Sequence, residues 1–267
     1  MIDLHCHVLP AIDDGAESLE QSLEFCRIAL EDGITTLVAT PHQKPGVFDN
    51  PPEAIRQRLD ELRSAILETG IQMEIVEGAE VYCTPDLPAR LHSGQVTTIG
   101  GAGRYVLLEL PYQQAPIRVE ETIFQLKLAG ITPVLAHPER IAYFSTDLTR
   151  LEKLVRLGCL SQVTGAALLG GFGEKVRDHS CRMMERSLAH IISSDAHDAI
   201  YRPPVLSRAR DAAAEVVGEE RAIQMVSDIP SAVCRGVEWE PWELPPEPPS
   251  DPPGLRSRLR SFFHRRG

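Results

Sequence analysis

Apolar and polar positions divide the chain into short apolar runs that alternate with longer stretches of helical periodicity. MIDLHCH at 1–7 precedes a helical pattern near 16–32, and ITTLVAT at 34–40 precedes another near 52–69. Further apolar runs are QMEIVEGAEVY at 72–82, YVLLEL at 105–110, TPVLAHP at 132–138, LSQVTG at 160–165 and HIISSDAH at 190–197. Strand candidates separated mostly by helices predict a parallel α/β sheet. The helices repeat apolar residues at three- and four-residue steps: Leu19, Leu23, Cys26 and Leu30 in the first, Ile55, Leu59, Leu62 and Ile66 in the second. Gly33, Gly70, Gly130 and Gly158 stand where a helix should stop before the next strand. After about residue 238 the pattern ends in EWEPWELPPEPPSDPPG, too rich in proline and acid for a packed element. The expected organisation is a folded domain at 1–238, a proline-rich acidic linker at 239–254 and a basic tail at 255–267.

Composition narrows the class. With 267 residues and 43% apolar content, the chain can bury one large core. Neither a signal-peptide pattern nor a run of 18 apolar residues occurs, so a cytoplasmic protein is expected. The six cysteines are scattered without a C-x-x-C pair, which predicts mostly buried thiols and suggests neither a disulfide framework nor a thiolate zinc site. The net charge of −11 includes five arginines in the last thirteen residues, which leaves the body with 22 bases against 38 acids, or −16. Such a body repels a nucleic-acid backbone, and no nucleic-acid partner is expected. In the tail, Leu255, Leu259, Phe262 and Phe263 would share one helical face among Arg256, Arg258, Arg260, Arg265 and Arg266. That pattern suits peripheral contact with an anionic membrane surface.

The chemistry collects at the strand ends. Alternate side chains of a strand share a face, so His5 and His7 are aimed at one place and Leu4 and Cys6 at the opposite one. An H-x-H pair alone is weak evidence for a metal. However, His42 ends ITTLVATPH, Glu80 sits in GAEVY, Glu109 in YVLLEL, His137 ends TPVLAH, and the last run finishes in Asp195 and His197. In closed α/β barrels this is the face where functional side chains converge. Imidazole and carboxylate donors without thiolate suit Mn²⁺, Fe²⁺ or Zn²⁺.

D-L-H-C-H, the acid of AIDDGA, TPH, the GAE glutamate, LLELP, AHPER and SDAHD, in that order, resemble the motifs of the polymerase and histidinol phosphatase (PHP) superfamily. The closest resemblance is to the bacterial manganese-dependent protein tyrosine phosphatases of capsule and exopolysaccharide operons, and it runs from residue 2 to about 236. The resemblance implies a distorted seven-stranded (β/α) TIM-like barrel with three divalent ions, Mn²⁺ first among candidates. By it, His5, His7, Glu80 and Asp195 hold the first ion; Glu80 bridges to a second, held also by Glu109 and His137; Asp14, His42 and His197 hold the third. Asp13 stands beside Asp14 as an alternative that supports the ligands. Arg140 in HPER and Arg202 in DAIYRPP resemble the family's phosphate-binding arginines, and a guanidinium can grip phosphate in a bidentate fork.

These implications converge on hydrolysis of phosphotyrosine in a protein, a membrane-anchored tyrosine kinase controlling capsule synthesis being the expected partner, by attack of a metal-activated hydroxide. No general acid is assigned; water or His42 are the candidates. The cysteine route to the same reaction needs an arginine six residues after the nucleophile. The positions six after each cysteine are Ile12, Asp32, Ala89, Gly165, Ser187 and Glu240, so that route is excluded. Ser193, Asp195 and His197 do not make a hydrolytic triad, because Asp195 and His197 alternate on a strand end and suit metal ligation better. The competing expectations are a small-molecule phosphatase of the histidinol phosphate type and a non-catalytic, kinase-binding metal barrel.

Overall fold

The computed structural model describes residues 1–244; most of the linker and all of the basic tail lie outside the described residues. β-branched and leucine-rich segments form nine parallel strands among them: β1 (Ile2–Cys6), β2 (Thr36–Ala39), β3 (His42–Gln43), β4 (Glu74–Glu77), β5 (Glu80–Tyr82), β6 (Tyr105–Glu109), β7 (Thr132–Ala136), β8 (Leu160–Thr164) and β9 (Ile191–Ser193). They pair into two sheets, β1-β2-β4 and β3-β5-β6-β7-β8-β9. Each apolar run expected as a strand is one, except that ITTLVATPH and QMEIVEGAEVY each split into two short strands. The splits fall at Thr40–Pro41 and Gly78–Ala79; proline has no N–H for a ladder, and a Cβ on Gly78 would stand 2.9 Å from Val38 Cγ1.

Helices cover the strands as the periodicity requires. In Pro52–Thr69 the residues Ile55, Leu59, Leu62 and Ile66 are all buried, and the helix ends at Gly70, whose φ of 70° lets its N–H return to Ile66 and Leu67 carbonyls. In Leu19–Glu31 the buried face is centred on Ser22, Phe25, Cys26 and Ala29, whereas Leu19, Leu23 and Leu30 are only partly buried at its margin. The expected stripe is therefore rotated, because Phe25 brings the largest apolar surface to the sheet.

The core has two parts. Along β6, Tyr105 and Leu107 pack with Leu4, Val38, Val134, Ala136, Leu160 and Ile191, while Val106 and Leu108 pack outward against the helices. Glu109 continues the row of Tyr105 and Leu107 by strand alternation, so this inner cluster forms an apolar floor beneath the polar strand ends. β1 departs from simple alternation. Its pairing with β2 shifts register between Asp3 and Cys6. Leu4 therefore joins the floor while Cys6 lies in the outer cluster, which corrects the expectation that the two share a face.

β1 also meets β9. Asp195 N–H donates to His5 O at 2.8 Å, His7 N–H donates to Ala196 O at 3.0 Å, and Ser194 N–H donates to Asp3 Oδ1 at 2.9 Å. The last described residues run back over the domain: Tyr105 Oη donates to Val237 O at 2.8 Å, and Arg221 lies 4.0 Å over the Trp242 ring. Among the described residues, no helix is long and apolar enough to cross a membrane.

Candidate metal centre

The strand ends bring all nine expected His, Asp and Glu side chains to one place. His5 lies in β1 beside Leu4 of the inner cluster, and His7 follows the strand. His42 and Glu80 are paired residues at the starts of β3 and β5, and Glu109 is the last residue of β6. His137 and Asp195 each follow a strand in left-handed backbone conformation, at φ 34° and 52°. For residues with a Cβ this conformation costs about 1–3 kcal/mol and recurs at functional sites. Here it turns the chain sharply so that both side chains reach the centre.

At the heart, His5 Nε2 and His7 Nε2 lie 3.1 Å apart. Both face Glu80 Oε2, at 3.4 and 3.5 Å, and Asp195 Oδ1, at 3.4 and 3.6 Å. The orientation of each ring is fixed from behind: His5 Nδ1 donates to Gln162 Oε1 at 3.0 Å and His7 Nδ1 donates to Asp13 Oδ2 at 2.7 Å. Those acceptors hold a proton on each Nδ1 and leave each Nε2 facing the centre, where a bound cation would take the place of a second ring proton.

Glu80 links this group to its neighbours. His137 Nε2 lies 2.7 Å from Glu80 Oε1, and His42 Nδ1 lies 3.0 Å from Glu80 Oε2 and 4.0 Å from Glu109 Oε2. The compact triplet that includes Glu109 is His42, Glu80 and Glu109, with His137 on the other oxygen of Glu80. Toward solvent, Asp14 Oδ1 stands 3.4 Å from His42 Nε2 and 3.5 Å from His197 Nε2. Of the two neighbouring aspartates, Asp14 is half exposed and faces these rings. Asp13 is instead buried behind His7, where it also accepts His42 N–H at 2.9 Å and Gly15 N–H at 3.0 Å.

The donor set fits bound divalent ions. Glu109 Oε2 and His137 Nδ1 are buried without a hydrogen-bond partner, and buried polar atoms left so are costly. Glu80, Glu109 and Asp195 are almost fully buried carboxylates in one cavity, a charge density that cations would offset. Burial opposes ionisation of Glu80, but His5, His137 and His42 outweigh it and hold the carboxyl well below its usual range. Burial, then the neighbouring Glu80, raises Glu109. Burial and the charge of His7 push His197 down to about 4.

Two arginines meet the same group. Arg140 Nη1 donates to Asp195 Oδ2 at 2.8 Å and Arg202 Nη2 donates to it at 2.6 Å. The carboxylate thus joins the imidazole pair through Oδ1 and both guanidinium groups through Oδ2. Arg140 lies over the rings of Phe172 and Tyr112. The open face is a cavity of 220 Å³ whose walls add Lys44, Val47, Phe48 and Tyr112 to the expected residues. Phe48 stacks on His42, and Lys44 Nζ lies 3.5 Å from Glu109 Oε2. Lys44 and Phe48 follow His42 closely in QKPGVF but carry no motif, and Gln162 stands between Ser161 and Thr164 in the buried strand LSQVT, where nothing in the sequence distinguishes it from those two polar neighbours.

A parallel α/β protein with clustered imidazoles, carboxylates and guanidinium groups at its strand ends belongs to the class of metal-dependent hydrolases of phosphate esters. Residues 1–235 match the family described as capsular polysaccharide synthesis, CpsB/CapC, and the chain belongs to that family. It is similar to the tyrosine-protein phosphatase YwqE of Bacillus subtilis, 37% identical over 76% of this chain and 79% of that protein. It is also similar to the tyrosine-protein phosphatase CpsB of Streptococcus pneumoniae, 30% identical over 87% and 98% of the two chains. Among solved structures, a chain from the crystal structures of YwqE and CpsB, unique metal-dependent tyrosine phosphatases, superposes with a TM-score of 0.85 and 32% identity, over 90% of this chain and 96% of that one.

Proposed function

We propose that this protein is a metal-dependent protein-tyrosine phosphatase of capsule and exopolysaccharide synthesis. The observation that carries the reading is the double engagement of Asp195, which places two guanidinium groups beside the imidazole and carboxylate cluster. His5, His7, Glu80 and Asp195 are the proposed holders of one ion, Glu80, Glu109 and His137 of a second, and Asp14, His42 and His197 of a third. Mn²⁺ is the proposed ion, with Fe²⁺ and Zn²⁺ compatible with the same donors. Bound divalent ions would supply a nucleophile from water near neutral pH and offset charge on the phosphoryl oxygens.

The chain's own residues do the rest. Arg140 and Arg202 bind the phosphate, exchanging part of their contact with Asp195 for two forked sets of N–H donors on its oxygens. Gln162 and Asp13 hold His5 and His7 with Nε2 inward, so the centre needs no rearrangement. Phe48, Val47 and Tyr112 form an apolar wall for the phenyl ring. A phenolate leaves with a pKa of about 10, so a strong acid is unnecessary. Cys6, the cysteine nearest in sequence, is buried on the outer side, where burial raises its thiol well above the usual value and keeps it from acting as nucleophile.

We further propose that the β segments form one seven-stranded ring. β2 with β3 and β4 with β5 would each be one interrupted strand, and the support is the pair of β1–β9 backbone bonds together with the Cys6–Ala196 bridge. The proposed substrate is a tyrosine-phosphorylated protein, specifically a membrane-anchored kinase, and the basic pattern at 255–267 supports peripheral membrane attachment. The test of the catalytic reading is turnover of phosphotyrosine peptide, phosphoserine peptide and histidinol phosphate by Mn²⁺-loaded protein. Preference for phosphotyrosine, lost on chelation, is expected. Preference for histidinol phosphate, or full activity after exhaustive metal removal, would overturn it.

A further inference from the structure

A second cavity, of 530 Å³, opens beside the metal centre and shares Lys44 and Phe48 with it. One wall is the loop at 44–53, and the other is the helix Leu87–His92 with the turn at 93–95. Its floor is fixed: Gln43 Nε2 donates to Asn50 O at 2.7 Å and Gln43 Oε1 accepts Thr97 N–H at 2.9 Å, tying both walls to β3. The acids that line it are already engaged, since Asp49 Oδ1 accepts Gly46 N–H at 2.8 Å and Glu53 pairs with Arg56 at 3.2 Å. Arg90 is different: its side chain lines this wall, and its Nη1, held against the protein, has no hydrogen-bond partner. A carboxylate entering the groove would pair with the guanidinium that lines it.

We propose that this groove docks the polypeptide flanking the phosphotyrosine, and that Arg90 receives an acidic side chain of that segment. The proposal rests on the phosphotyrosine-protein reading and deepens it. Continuity through Lys44 and Phe48 lets one extended chain place its phosphotyrosine at the metal centre and its neighbours along the loop at 44–53. Pro45 and Pro51 stiffen that loop and Pro52 opens the helix that follows it, so little order is lost on binding. A free phosphate ester would reach the metal centre without touching Arg90.

Steady-state kinetics of the Mn²⁺-loaded full chain decide this with three substrates: a phosphotyrosine peptide flanked by glutamates, the same peptide with glutamines, and p-nitrophenyl phosphate. Wild-type protein should favour the glutamate peptide through KM. Arg90→Gln should raise that KM about tenfold, the scale of one charge-assisted hydrogen bond, with kcat retained and the other two substrates unaffected. Equal losses on all three would make Arg90 structural, and no loss on the glutamate peptide would remove the docking role. A wild-type protein that hydrolyses p-nitrophenyl phosphate but neither peptide would overturn the phosphotyrosine-protein reading, and this proposal with it.

Discussion

Replacing Asp13 with asparagine tests whether the imidazole cluster is held from behind. Burial works against the charge of this carboxylate, yet the His7 ring and the N–H groups of His42 and Gly15 hold its pKa at about 2, against 3.8 for an ordinary aspartate. At 1.36 kcal/mol per pH unit, that difference corresponds to about 2.4 kcal/mol of favourable interaction with the charged form. Asparagine keeps the shape, but its oxygen can serve only one side, and its amide then faces a backbone N–H or the His7 proton. Metal-free Asp13→Asn should thus be about 2 kcal/mol less stable than wild type at pH 7 by urea unfolding. Because the folded pKa is depressed, this contribution is present above pH 4, fades as pH falls toward 2, and is absent below it. Loss of the support for His7 should also weaken Mn²⁺ binding by about 10–100-fold in competition with a chelator. Unchanged stability at pH 7 together with unchanged Mn²⁺ affinity would refute the reasoning.

Three further outcomes follow from neighbouring contacts. Arg140→Ala and Arg202→Ala should each lower kcat/KM by about 10²-fold or more while metal content by atomic absorption stays at the wild-type level; loss of metal would make them structural. Gly15→Ala should empty the centre and destabilise the fold, since its Cβ would fall 2.1 Å from His7 O, and retention of metal would contradict that packing. Cys6→Ser should cost about 1–3 kcal/mol in stability for a hydroxyl in an apolar site and leave kcat unchanged; a hundredfold fall in kcat with metal retained would restore a thiol mechanism.

The order of strands and helices was legible because periodicity and helix-stopping glycines agree along the chain, as at Ile55, Leu59, Leu62, Ile66 and Gly70. The candidate ligands were legible because each sits in a short motif, at a strand end or, for Asp14, in the loop after β1. The details that aim them were not. The register shift in β1, which separates Leu4 from Cys6, depends on pairing with β2 and leaves no mark in IDLHC. The left-handed turns at His137 and Asp195 occur in residue types that tolerate this backbone better than most, but neither AHPER nor SDAHD marks which residue adopts it, so the turns show only in the fold. The support from Gln162 comes from β8, 157 positions away from His5, and such a pairing is visible only in the fold. Arg90 likewise resembles any helical surface arginine until the loop at 44–53 is placed against it.

The location of the metal ions and of phosphate can be measured together. Crystals of Mn²⁺-loaded protein with inorganic phosphate, recorded at the manganese absorption edge, should give anomalous peaks among His5, His7, Glu80 and Asp195, beside Glu109 and His137, and beside Asp14, His42 and His197. Phosphate should lie against those peaks within reach of Arg140 and Arg202. Peaks elsewhere, or none in crystals of protein that still hydrolyses phosphotyrosine, would contradict the site described for this protein.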